Sequence, residues 1–116
     1  MDIRIIKNPI RREELAFVAK QQFGDLVKAV VDIEQGIMAI AGELHADEET
    51  ILIEKEGSKR EYAWGINFYP EIDGKDWIEF DSMINLKPTF ENCSCGVDDT
   101  EKQEKIREIV KKLISE

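Results

Sequence analysis

The sequence predicts a single α+β domain over residues 1–116, with a mostly antiparallel sheet, helices on one face and the order β-α-β-β-α-β-β-α. Three observations lead there. Residues 26–45 and 64–86 alternate apolar and polar side chains around turn residues, as two hairpins would. Residues 11–23 and 98–113 repeat apolar side chains at helical spacing instead. A chain of 116 residues suits one domain with one modest core.

The elements follow in order. Residues 2–6 (DIRII) form a short β-branched strand that Asn8-Pro9 ends. Leu15, Val18, Ala19 and Phe23 then make one stripe of a helix over 11–23, and Gly24 stops it. In the first hairpin, a two-residue turn at Gln35-Gly36 sets Ile33 opposite Met38, Val31 opposite Ile40, Ala29 opposite Gly42 and Val27 opposite Leu44. The other parity pairs Lys28 with Glu43 and Leu26 with His45. Asp47 is placed to cap a second helix, with acids in its first turn and Gly57 at its end. Residues 50–53 (TILI) suit a strand as well, so both states stay open there with helix preferred.

The second hairpin joins strands over 64–69 and 77–86 across Pro70 and Asp73-Gly74. One parity holds Trp64, Ile66, Phe68, Ile78, Phe80, Ile84 and Leu86. After Pro88 and a loop, a final amphipathic helix buries Ile106, Ile109, Val110 and Leu113, with Asp98 and Glu101 at capping-box spacing.

The balance of charge narrows the function. A net charge of −9 and a pI near 4.7 repel phosphate backbones, and the densest basic pair, Arg11-Arg12, is followed at once by Glu13-Glu14. Nucleic acid is therefore an unexpected partner. The opening residues lack a secretory pattern, and no apolar run approaches the ~20 residues of a membrane helix, so no membrane partner and a cytoplasmic location are expected. Cys93 and Cys95 read as reduced thiols, and no second cysteine pair completes a zinc site. Gly57-Ser58-Lys59 lacks the glycine spacing of a phosphate loop.

Four connected blocks, FGDLVKAVVDIE, MAIAGELHADEE, WGINFYPE and IEFDSMINL, resemble a small family of uncharacterised prokaryotic proteins known as a domain of unknown function. The resemblance covers nearly the whole chain and implies no activity or cofactor. Cys93 and Cys95 depart from its pattern, which weakens a metal role for them.

Candidate site residues come from the parity opposite the core. If the hairpins share a sheet, its open face carries His45, Asn67, Tyr69, Trp77, Asp81 and Asn85 as ligand-binding candidates. The stretch GELHADEET also gathers the only histidine with several carboxylates. Glu43, His45, Asp47 and Asp81 are the candidate ligands for a divalent metal ion, with Glu48 as general base. Two functions follow. The preferred one is a noncatalytic binding or interaction module for a protein or small molecule, with no cofactor. The competitor is a metal-dependent hydrolase. A homo-oligomer is open too, because the first strand sits at a sheet edge.

Overall fold

The computed structural model describes all 116 residues. Its strands are β1 (Arg4–Ile6), β2 (Ile10–Arg11), β3 (Val27–Asp32), β4 (Ile37–Ile40), β5 (Ala63–Phe68), β6 (Ile78–Glu79) and β7 (Ile114–Ser115). The helices are α1 (Arg12–Gln21), α2 (His45–Glu56) and α3 (Thr100–Leu113). Five strands form an antiparallel sheet in the order β1-β4-β3-β5-β6, while β2 and β7 make a small parallel pair that the sequence pattern did not signal. The α+β class stands, and β1 lies at a sheet edge as expected.

The central hairpin keeps its predicted parity but shifts its register by two. Val31 pairs with Met38, Ala29 with Ile40 and Asp32 with Ile37, so residues 33–36 form a four-residue loop. Asp32 causes the shift. Its Oδ1 accepts hydrogen bonds from the backbone N–H groups of Glu34 (2.8 Å) and Gln35 (3.0 Å), and its carbonyl accepts one from Gly36, whose φ of 70° only glycine adopts readily. A side chain that satisfies the backbone locally outweighs the shorter turn.

β4 then ends at Ile40, because Ala41 adopts a left-handed φ of 72°. Gly42 and Leu44 therefore do not pair with Ala29 and Val27, and no ion pair joins Lys28 to Glu43. Residues 50–56 are helical, and Gly57 closes α2 as predicted. The helix begins at His45, so Asp47 lies inside its first turn rather than at the cap. Its start is anchored by tertiary contacts: Glu48 folds back to accept from the Gly42 N–H at 2.9 Å, and His45 reaches the Ile66 carbonyl.

The helices do not share one face of the sheet. α1 and α3 cover the main core, where Leu15, Val18, Ile106 and Leu113 meet Val27, Ala29, Val31, Met38, Ile40, Trp64, Ile66 and Phe68. α2 packs Leu52 on the opposite face against Val30, Ile37, Ala39 and Ala63. The physical reason is in the strands, since β4 and β5 are buried at every position and such strands need cover on both sides. Phe23, predicted in the α1 stripe, lies beyond the helix end and is exposed.

The second hairpin is much shorter than its alternation suggests. Only Ile78 and Glu79 pair with β5, opposite Phe68 and Asn67, and single 3-10 turns follow at Met83–Asn85 and Pro88–Phe90. The chain crosses close over Gly65, where a Cβ would meet Ser82 Cβ at 2.5 Å, and Ile84 turns toward the α2 side. α3 is capped by Asp99, which accepts from Glu101 N–H at 2.8 Å. Asp98, the predicted cap, instead holds the Cys93 N–H and the Ser94 hydroxyl.

Candidate functional site

Beyond the N-terminal end of α2, the sheet face carries a polar depression of about 390 Å³. Strand register builds it. Lys28 pairs with Asn67 and Asn67 with Glu79, so three polar side chains stand in one row across β3, β5 and β6. Tyr69 and Asp81 flank the row, and His45, the first residue of α2, closes it from above.

Its hydrogen bonds fix the groups in place. Glu79 Oε1 accepts from Asn67 Nδ2 at 2.9 Å and from the Tyr69 hydroxyl at 3.1 Å. Asn67 Nδ2 also donates to the Asp81 carbonyl at 3.1 Å. Both partners of that amide nitrogen are pure acceptors, which fixes the orientation of the amide. Asn67 is only 7% exposed, yet its Oδ1 makes no hydrogen bond.

The electrostatics favour neutral His45 and neutral Tyr69. Burial holds the imidazole below the ordinary histidine range, and Lys28 adds to the effect, against raising contributions from the Ile66 carbonyl, Asn67 and Asp81. The neutral ring donates Nε2–H to the Ile66 carbonyl at 2.9 Å, which leaves Nδ1 as an acceptor. Burial and the hydrogen bond to Glu79 raise the Tyr69 phenol above its usual range, so it remains a donor. Lys28 is drawn toward the Phe23 ring, with its Nζ 5.2 Å from the centroid.

Of the six ligand-binding candidates, His45, Asn67, Tyr69 and Asp81 meet here. Trp77 does not. It ends a 3-10 turn, Lys75–Trp77, that breaks the two-residue period of the strand, and it stacks on Phe68 at 4.9 Å on the main-core side. Asn85 does not either. It is fully buried, accepting from Gly65 N–H and donating to the carbonyls of Gly65 and Cys95. Lys28 and Glu79 belong to the row as well; alternation puts both on the parity opposite the core, and their cross-strand pairing with Asn67 singles them out as site residues.

The metal candidates are scattered. No three His, Cys, Asp or Glu side chains are arranged to hold a metal ion. Glu43 and Asp47 are exposed outside the depression, and only His45 and Asp81 of that set share it. Glu48 is fully buried, where desolvation raises its carboxyl well above the usual range, and it faces Gly42 rather than the depression. The cysteines are free thiols, with Cys95 Sγ 3.8 Å from Met83 Sδ. No helix is long and apolar enough to cross a membrane.

No curated protein and no solved structure matches the chain. Residues 4–113 match the family described as Protein of unknown function (DUF5674), so the chain belongs to that family.

Proposed function

We propose that this protein is a noncatalytic binding module whose polar depression holds an alkylammonium group. The observation that carries the reading is the set of acceptors that line the depression. They are the carboxylates of Glu79 and Asp81 and Nδ1 of neutral His45, against the single cation Lys28. An ammonium group brings three donors and one positive charge, which complements that set. The ammonium can come from a small amine or from a lysine side chain of a partner protein.

The test is a nitrogen-proton correlation titration of the protein with butylammonium, with butanol as the uncharged control. Expected are saturable shifts at Lys28, His45, Asn67 and Asp81 for the amine alone. Asp81→Asn should weaken binding about tenfold, the worth of one hydrogen bond to a charged group. Binding should also weaken as pH falls through the lowered pKa of His45, because protonation adds a cation beside the ligand. A lysine-containing peptide that binds more tightly than butylammonium would identify a protein partner as the source. No saturable shift with either probe, or equal shifts with butanol, overturns the proposal.

A further inference from the structure

The other side of the β5–β6 hairpin carries a second cleft, of about 410 Å³, between α3, β7 and the turn before β6. Its floor is apolar, formed by Trp77, Ile78 and Val110. Its rim is basic, with Arg12, Lys75, Arg107 and Lys111. Four cations around one cleft run against a chain whose net charge is −9.

Three of those cations are unpaired, since Lys75, Arg107 and Lys111 make no salt bridge. The fourth already holds an anion. Arg12 Nη1 lies 3.1 Å and 3.4 Å from the two carboxylate oxygens of Glu116, a side chain at the rim that is otherwise largely exposed. Arg12 is also preorganised, because its Nε donates to the Pro70 carbonyl at 3.0 Å and Nη2 donates to that of Ile72. Its guanidinium sits 4.0 Å over the Trp77 ring. Arg107 is likewise steadied by the Lys75 carbonyl and the Phe80 ring. A volume in this range suits a small ligand, and an apolar floor beside fixed cations suits one that is both flat and charged.

We infer that this cleft binds a small organic anion with a flat apolar body, such as an aryl phosphate or aryl carboxylate. The apolar body lies on Val110, Ile78 and the edge of Trp77. The anionic group meets Arg107, Lys111 and Lys75 and competes with Glu116 for Arg12. This inference is independent of the amine-binding depression, which lies on the opposite face.

Phenyl phosphate is the probe, read by tryptophan fluorescence. Trp64 is fully buried in the core, so Trp77 is the residue that reports. Saturable change with phenyl phosphate is expected, with inorganic phosphate and phenol each binding at least about tenfold more weakly because each lacks one half of the match. Lys111→Gln lies at an exposed position and should leave the fold intact, and combined with Arg107→Gln it should weaken binding by about tenfold or more. Glu116→Gln should tighten it by freeing Arg12. The inference is overturned if phenyl phosphate produces no saturable change, if the double variant binds as the parent does, or if inorganic phosphate binds equally well.

Discussion

Asn85→Ala should destabilise the protein strongly while leaving the polar depression in place. The Asn85 side chain is fully buried and substitutes for the strand that β6 fails to supply. Its Oδ1 accepts from Gly65 N–H at 2.8 Å, and its Nδ2 donates to the Gly65 carbonyl at 2.9 Å and the Cys95 carbonyl at 3.0 Å. Truncation leaves both backbone groups of buried Gly65 without partners. At about 1–3 kcal/mol for each unsatisfied buried group, the loss is about 2–6 kcal/mol. The central expectation is about 3–4 kcal/mol after partial relaxation, a large share of the roughly 5–15 kcal/mol that holds a domain folded. For a domain of this size that corresponds to a fall in Tm of roughly 10–20 °C. Urea unfolding followed by far-ultraviolet circular dichroism should show a lower midpoint with an unchanged m value. Asn85→Asp keeps the acceptor, loses the donors and sets a negative charge beside two carbonyls, so it should not rescue. A loss below about 1 kcal/mol would refute the reasoning, because the Gly65 edge would then be satisfied without Asn85.

Two buried ionisable groups make further predictions. Lys87 is 6% exposed, donates to the carbonyls of Arg60 and Ala63, and lies 4.5 Å over the Trp64 ring. Burial lowers its pKa from 10.5 to about 8, so between those values the unfolded chain binds more protons and stability rises with pH. Parent protein should therefore gain stability relative to Lys87→Met as pH rises above about 8, measured by urea midpoints; a flat difference would contradict the lowered pKa. Glu48 has the opposite sign. Its carboxyl is raised well above 4.5 by burial, so the stability it contributes is full at low pH and is lost as pH rises through its folded pKa. Glu48→Gln keeps an acceptor for Gly42 and should become progressively more stable than the parent as pH rises above the ordinary carboxyl value of 4.5, as chemical denaturation at several pH values would show. A pH-independent difference would mean that this carboxyl titrates normally.

Much of the candidate depression was legible because strand parity survives errors of register. His45, Asn67, Tyr69 and Asp81 were all placed on one face from alternation alone, and the structure gathers them although the hairpin register differs by two residues. Parity failed wherever a 3-10 turn interrupted the period. Trp77 and Asn85 both close such turns, and each left the predicted row. Lys87 gave no signal, since nothing in a lysine beside a proline announces burial against two carbonyls and an indole.

The sequence by itself determined the α+β class, the first and last helices with their apolar faces, and the antiparallel pairing of the central strands, while it left residues 50–53 open between helix and strand. Those features follow from side-chain periodicity and from turn residues, which are local properties of the chain. Tertiary structure alone decided that α2 crosses to the opposite face, that β6 stops after Glu79 and that the metal candidates stay apart. It also brought Arg12 of α1 beside Arg107 and Lys111 of α3 to make a basic cleft in an acidic protein. Such juxtapositions depend on how the faces of distant segments pack, and local periodicity carries no record of that.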